Sequence, residues 1–127
     1  MLRRSIITLA FLVAALAAAP TIAQTAGDDP MSTPLSTGKV QVGGAEIYYE
    51  IHGDGPPLVL LHGGVDPSQT FGAPLAAMAR THRVIAIHMR GHGFSTDTDA
   101  PWSSELMADD VAAVLRQLSI GRARFRG

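Results

Sequence analysis

The sequence contains no cysteine in its 127 residues, so disulfide bonds and a lipid-modified N-terminal cysteine are both excluded. Lysine occurs once, at Lys39, and aromatic residues make up 6% of the chain. The formal net charge is −1. Because so small a charge gives no long-range attraction for polyanions, we expect neither nucleic acid nor an acidic membrane surface as a partner.

Long apolar runs are scarce outside the N-terminus. Residues 6–19 are uncharged and apolar, Arg3 and Arg4 precede them, and small residues at positions 21 and 23 fit a cleavage site before Gln24. A membrane-spanning helix needs about 20 apolar residues, and this stretch meets Pro20 before reaching that length. The pattern predicts a secretory signal peptide over residues 1–23, with an uncleaved membrane anchor as the competing interpretation.

Export to the periplasm or the cell exterior follows from that prediction, and no stable membrane anchor is expected after cleavage. Removal of residues 1–23 changes the net charge to −3, since two arginines are lost. Residues 24–38 are rich in Thr, Ser, Pro, Gly and Asp, which is typical of a flexible linker. We therefore expect the folded domain to span residues 39–127.

The domain begins with a pattern for a β-hairpin. Residues 39–42 and 45–51 alternate between apolar and polar side chains, and the pair Gly43 and Gly44 between them is a turn signal. Residues 58–61 then form a continuous apolar run, which is typical of a strand covered on both faces.

Helices and strands alternate through the rest of the domain. A helix is predicted from Ser68 to about Arg80, with Pro74 making its first turn irregular, and a buried strand over residues 84–87. A second helix is capped by Ser103 or its neighbour and closes at Gly121. This order predicts an α/β fold, in which a mostly parallel sheet carries helices on both faces.

Two glycine-rich turns follow the two apolar strands. His62, Gly63 and Gly64 come directly after residues 58–61, and residues 90–95 follow residues 84–87. Right-handed crossovers place both turns at the carboxyl edge of a parallel sheet, where ligands bind in open α/β proteins.

With these pieces in this order, residues 39–127 resemble the N-terminal part of an α/β-hydrolase of the ester- and epoxide-processing type. The resemblance rests on the opening hairpin, the two glycine turns and the helix over residues 107–115. It covers nearly all of the mature chain but under half of a complete family member. It implies an opening hairpin and then alternating parallel strands and helices, truncated before the fifth strand is complete.

The resemblance assigns the first turn to an oxyanion hole. Hydrolysis of an acyl group places negative charge on a carbonyl oxygen, which preorganised backbone N–H groups stabilise. Gly64 is implied as the donor, with Val65 as the neighbouring candidate. Gly63 lets the backbone approach the substrate, and His62 braces the loop. An ordinary turn between strand and helix is the alternative.

The second turn is implied to be a scaffold beside the site. Gly91 and Gly93 suit positive φ, and Ser95 can bond neighbouring backbone. Family members usually carry an aspartate two residues before Arg90, and this sequence has His88 there. We expect the loss of an aspartate–arginine contact to make the turn less rigid.

Other chemistry is disfavoured at this edge. His62, His88 and His92 lack the spacing and the further ligands of a metal site, so no metal or cofactor is expected. The family's base lies far beyond Gly127, so neither His62 nor His92 inherits that role. Asp109 and Asp110 are interpreted as a solvated helix face.

The last stretch aligns with the approach to the family's Gly-x-Ser-x-Gly turn, which would place the nucleophile beyond Gly127. Arg122, Arg124 and Arg126 form a basic cluster without aromatic neighbours suited to nucleic acid. Arginines suit a buried central strand poorly, and an incomplete fifth strand leaves the third as an exposed apolar edge. No catalytic residue is therefore assigned to this chain.

Two hypotheses follow. In the first, the chain is the N-terminal portion of an exported hydrolase, itself inactive. The complete protein would use a nucleophile, histidine and acid on a small uncharged ester, lactone or amide, or on an epoxide in a related branch. In the second, it is a degenerate fragment or a small non-catalytic binding module. The substrate and the oligomeric state are not predicted.

Overall fold

A computed structural model describes residues 29–64 and 67–127. The predicted signal peptide and the first five residues of the predicted linker lie outside the described residues. Within the described part, no helix combines the length and apolar character needed to cross a bilayer.

The core of the fold is a five-stranded mixed sheet with the strand order β1-β2-β4-β3-β5. The neighbours β1 and β2, and β2 and β4, are antiparallel, whereas β3 is parallel to both β4 and β5. In chain order the elements are β1 Ser36–Val42, β2 Ala45–His52, β3 Pro57–Leu61, α1 Pro67–Ala79, β4 Arg83–Ile87, α2 Ser104–Gln117 and β5 Arg124–Arg126. An opening antiparallel hairpin followed by alternating parallel strands and helices is the α/β architecture that the sequence predicted.

The opening hairpin forms where the sequence places it. Gly43 and Gly44 have φ values of 54° and 82°, and this pair of positive angles is the geometry of a tight two-residue hairpin turn. Strand β1 starts at Ser36, so it overlaps the last three residues of the predicted linker. A short 3₁₀ helix, Pro30–Ser32, precedes it, and the Asp29 carboxylate accepts a 2.6 Å hydrogen bond from Arg80 at the end of α1.

Helix α2 covers one face of the sheet. The Ser103 hydroxyl caps it by accepting the backbone N–H of Leu106, and Val111 and Val114 pack onto the strands below. The helix ends at Gln117, before the predicted Gly121, because Ser119 adopts a φ of 57° that interrupts the helical backbone.

Helix α1 covers the opposite face. Phe71 and Leu75 pack against Leu58, Leu60 and residues of β4. The helix is kinked at Gly72, two residues before Pro74, which confirms the irregularity expected from a proline that lacks a backbone donor.

The pairing of the last strand, β5, differs from what the sequence analysis expected. Strand β5 pairs in parallel with β3 through Leu58–Arg124, Val59–Phe125 and Leu60–Arg126. The third strand is therefore an internal strand, and the expectation that it forms an exposed apolar edge is wrong. The arginines of β5 are exposed, so no charge is buried there.

Candidate functional site

The two glycine turns lie side by side at the carboxyl edge of the sheet. The last residue of β3, Leu61, is in register with the last residue of β4, Ile87, so the loops that follow these strands start at the same level. The rings of His62 and His92, one from each loop, have centroids 5.1 Å apart. The two glycine turns therefore lie together at the carboxyl edge of the sheet, as the sequence predicted.

His62 connects the two loops through both ring nitrogens. Its Nε2 accepts the backbone N–H of Met89 at 2.9 Å, and its Nδ1 lies 2.6 Å from the carbonyl oxygen of Gly63. Because Nε2 must accept from an amide, the ring proton is on Nδ1 and is donated to Gly63. The buried ring therefore fixes the orientation of the Gly63 carbonyl.

That carbonyl sets the direction of the next backbone donor. The peptide between Gly63 and Gly64 is trans, so its C=O and N–H point in opposite directions. With the carbonyl directed at His62, the Gly64 N–H points away from the ring, and no backbone hydrogen bond among residues 29–64 and 67–127 uses it. Val65, the neighbouring candidate, lies outside the described residues.

The second turn is held by a buried ion pair. Arg90, 1% exposed, donates from Nε to Asp110 Oδ2 at 3.0 Å and from Nη2 to Asp110 Oδ1 at 2.7 Å. It also donates to the Val42 carbonyl and the Thr98 hydroxyl. The hydrogen bonds to Asp110 raise the pKa of Arg90 against the opposing effect of burial. The interpretation of Asp110 as part of a solvated face is wrong, whereas Asp109 is exposed.

His88 holds the second turn in place, although the sequence analysis expected this turn to be less rigid without an aspartate at position 88. Its Nδ1 accepts the Phe94 N–H at 3.1 Å, and its carbonyl accepts the Ser95 hydroxyl at 2.6 Å. The Ser95 hydroxyl oxygen in turn accepts the Tyr48 N–H at 2.8 Å. The turn is thus fixed at both ends, and the expectation of a loosely held turn is wrong.

The glycines of this turn are required by both angle and space. Gly91 and Gly93 have φ values of 74° and 55°. A β-carbon on Gly93 would lie 2.2 Å from His88 Nδ1, and one on Gly91 would lie 2.9 Å from both Asp97 and Trp102. Side chains at these positions are excluded by the packing of the turn itself.

A polar cluster under this turn was missed in the sequence. Glu50 Oε2 lies 2.9 Å from His52 Nε2, and Glu50 Oε1 accepts the Tyr48 hydroxyl at 3.2 Å and lies 4.0 Å from His88 Nε2. The hydrogen bond with His52 lowers the pKa of Glu50, and burial, followed by the Glu50 charge, raises the pKa of Tyr48. The signal was the two-residue spacing of Tyr48, Glu50 and His52, which puts them on one face of β2.

A cavity of about 650 Å³ opens beside the first turn, between α2, the end of β3 and β5. Its walls include His62, Gly63, Gly64 and Phe125, and apolar side chains dominate the rest. Within the described ranges, no group of three metal-ligating side chains is assembled. The lining residues that the sequence did not mark as site residues are Leu61, Met89, Trp102, Ser104, Met107, Ala108, Val111, Ala112 and Leu115.

Comparison with known proteins gives the family. The model of the alpha/beta hydrolase fold matches residues 56–124, which is more than half of the chain. A putative carbamate hydrolase, RutD, of Azorhizobium caulinodans is 38% identical over 86 residues, which are 67% of this chain and 32% of that protein. The chain thus spans about a third of the length of the curated relatives it matches.

Solved structures agree with this match. The enol-lactonase from Burkholderia xenovorans LB400 superposes with a TM-score of 0.63 at 32% identity, over 69% of this chain and 35% of that one. The esterase RhEst1 from Rhodococcus sp. ECU1013 superposes with a TM-score of 0.60 at 39% identity, over 68% of this chain and 33% of that one. The chain belongs to the alpha/beta hydrolase fold family.

Proposed function

We propose that this chain forms the oxyanion-binding portion of an exported hydrolase that acts on small uncharged esters, lactones or amides. The supporting observation is the orientation of the Gly64 N–H. His62 holds the Gly63 carbonyl, and the Gly64 N–H of the same peptide faces away from the ring beside the cavity, where no backbone hydrogen bond between described residues uses it. A donor fixed before the reaction stabilises an oxyanion without reorganisation.

The described residues do not supply the other half of such a site. Among the hydrogen bonds between described residues, no serine hydroxyl bonds a histidine ring, and the Ser95 hydroxyl is engaged with backbone groups. A nucleophile activated by an adjacent base is the signature of covalent acyl transfer. We assign nucleophile, base and acid to polypeptide outside the described residues, consistent with relatives about three times as long.

A chimera tests the role of Gly64. Residues 29–127 would replace the matching N-terminal portion of the Rhodococcus esterase, and hydrolysis of p-nitrophenyl butyrate would be followed. Gly64→Pro removes the N–H and should lower kcat about 10²–10³-fold. Gly64→Ala keeps the N–H, and its β-carbon meets nothing within 4 Å, so it should retain kcat within about twofold.

Two further measurements separate the alternatives. If Val65→Pro and not Gly64→Pro abolishes turnover in the chimera, the donor is Val65. The whole chain alone should hydrolyse the ester no faster than buffer, and turnover by it would contradict the assignment of the nucleophile elsewhere. An inactive parent chimera that folds cooperatively would favour a binding module over a hydrolase portion.

Export is tested independently of catalysis. Expression of the whole chain in a bacterial host should yield, in the periplasmic or extracellular fraction, a product whose N-terminal residue is Gln24. A chain without residues 1–23 should stay in the cytoplasm. Retention of the intact N-terminus in the membrane fraction would instead indicate an uncleaved anchor.

A further inference from the structure

The cavity beside α2 lies in the path of a polypeptide that continues the sheet. The connection from β4 to β5 passes through α2 on one face of the sheet. A right-handed connection from β5 to a parallel strand beyond it stays on that same face. A helix in that connection therefore runs beside α2 and across the cavity, which lies between α2, the end of β3 and β5.

His92 presents a hydrogen-bond acceptor at the wall of this cavity. Its Nδ1 lies 2.9 Å from the Arg90 carbonyl oxygen, and because a carbonyl oxygen only accepts, Nδ1 carries the proton. In this tautomer the lone pair is on Nε2, which points away from that carbonyl. No hydrogen bond between described residues uses Nε2, although His92 lines the cavity.

The position of this acceptor is fixed by the second turn. The centroid of the His92 ring lies 5.1 Å from that of His62 and 5.3 Å from that of Trp102, so the imidazole contacts two other rings. The His92 N–H donates to the Met89 carbonyl at 2.9 Å. Arg90, whose carbonyl orients Nδ1, is anchored by its buried ion pair.

A turn that leads from a strand into a helix and presents a nucleophile needs acceptors of this kind. The first four backbone N–H groups of a helix have no partner within the helix. The N–H that follows the nucleophile belongs to the oxyanion hole, so the other donors of the first turn need acceptors outside the helix. Most side chains around the cavity are apolar and cannot accept, which makes His92 Nε2 a suitable partner.

We propose that His92 is a positioning residue whose Nε2 accepts a backbone N–H from the first turn of the helix that follows the nucleophile. This rests on the proposed function, because it takes the nucleophile turn to follow β5. The hydrogen bond ties that turn to the second glycine turn, and so holds the nucleophile at a fixed distance from the Gly64 N–H. His92 itself takes no proton from the nucleophile.

Three variants in the chimera with the Rhodococcus esterase separate the acceptor from the ring. His92→Gln places an amide oxygen near the position of Nε2, His92→Asn reaches only the position of Nδ1, and His92→Phe keeps a ring without either nitrogen. Because a small displacement of a reacting group is costly, His92→Asn and His92→Phe should lower kcat about 10–100-fold and change KM less than about threefold. His92→Gln should retain kcat within about threefold.

Ser104→Ala is the matched control. It removes a hydroxyl that also lines the cavity but lies on α2 rather than on the second turn, so kcat should change less than about twofold. A loss in Ser104→Ala as large as that in His92→Asn would overturn the assignment of the acceptor to His92.

Urea unfolding tests the same contact without turnover. In the whole chain, where no described residue bonds Nε2, His92→Asn and His92→Gln should unfold at the same urea concentration. In the chimera, His92→Asn should unfold at a lower urea concentration than His92→Gln, because only glutamine satisfies the N–H of the added helix. A chimera that folds but is inactive contradicts the proposed function, and this comparison then still decides the role of His92.

Two further results would overturn the proposal. Equal kcat values for His92→Gln and His92→Asn in an active chimera, whether both are retained or both are low, would show that the acceptor does not position the nucleophile. A parent chimera that does not unfold cooperatively would refute both proposals, since the cavity then does not accept the helix that follows β5.

Discussion

The two glycine turns share an edge of the sheet but use glycine for different physical reasons. In the second turn a β-carbon on Gly93 would collide with the His88 ring, and φ is positive. In the first turn a β-carbon on Gly63 or Gly64 would meet nothing within 4 Å, and neither residue has positive φ. The second turn is closely packed and has a structural role, whereas the first is an open loop that one histidine orients.

This difference teaches that a glycine motif alone does not identify its role. Residues 90–95 are held by a buried ion pair and by hydrogen bonds from Ser95 and Phe94. His62 anchors the other loop through Met89 and Gly63. Substitutions at the second turn should therefore affect stability, whereas at Gly64 only the loss of the backbone N–H should affect binding or catalysis. The predictions below test this separation, beginning with the largest expected effect.

Removal of Asp110 should be the most damaging change. Asp110→Ala leaves the Arg90 guanidinium buried without its anion, which costs about 3–5 kcal/mol. Urea unfolding followed by circular dichroism measures the loss. The exposed neighbour provides the control, since Asp109→Ala should change the free energy of unfolding by less than about 0.5 kcal/mol.

A double variant refines that result. Arg90→Met combined with Asp110→Leu replaces the pair by apolar side chains and should recover most of the stability lost in Asp110→Ala. If the double variant is no more stable than the single one, the hydrogen bonds of Arg90 to Val42 and Thr98 carry the stabilisation instead.

The next largest loss of stability is expected from alanine at Gly93, and alanine at Gly64 is the comparison. Gly93→Ala combines a left-handed backbone with a contact at 2.2 Å and should cost about 2–4 kcal/mol. Gly64→Ala meets neither obstacle and should cost less than about 0.5 kcal/mol. Thermal and urea unfolding of both variants make the comparison, and equal losses would refute the distinction between the two turns.

Much of the fold was readable from local pattern. The Gly43 and Gly44 pair fixed the hairpin because two positive φ angles fit its turn, and the apolar runs ending at Leu61 and Ile87 marked strands covered on both faces. The placement of both turns at one edge then followed from parallel topology. These features depend on residues close together in the chain.

The partners across the site were harder to predict, because they depend on distant contacts. Arg90 and Asp110 are 20 residues apart, and composition does not distinguish Asp109 from Asp110. The phase of α2 does distinguish them. Asp110 lies three residues after Met107 and four before Val114, on the helix face that packs inward, whereas Asp109 lies off that face.

His88 provides the third prediction. His88→Ala removes the acceptor of the Phe94 N–H and the ring that packs beneath Gly93, and should cost about 1–3 kcal/mol. His88→Asn offers an oxygen in place of Nδ1 and should recover part of that loss. Hydrogen exchange at the Phe94 amide locates the effect, and unchanged protection in His88→Ala would remove the histidine from its positioning role.

The smallest expected effect is a pH dependence from Glu50, beneath the packed turn. Its pKa is lowered in the folded chain, first by the hydrogen bond with His52, so near the ordinary value of 4.5 the folded state binds fewer protons at this group than the unfolded state does. Its contribution to stability is therefore complete above that pH and is lost as the pH falls through the folded value.

Glu50→Gln isolates this contribution. The difference in the free energy of unfolding between the original chain and Glu50→Gln should be largest at pH 6–7 and should shrink as the pH falls below about 4.5. It reaches its minimum below the lowered pKa of folded Glu50, where both chains carry a neutral group at position 50. A difference that is constant with pH would mean that Glu50 stabilises the strand by packing rather than by its charge.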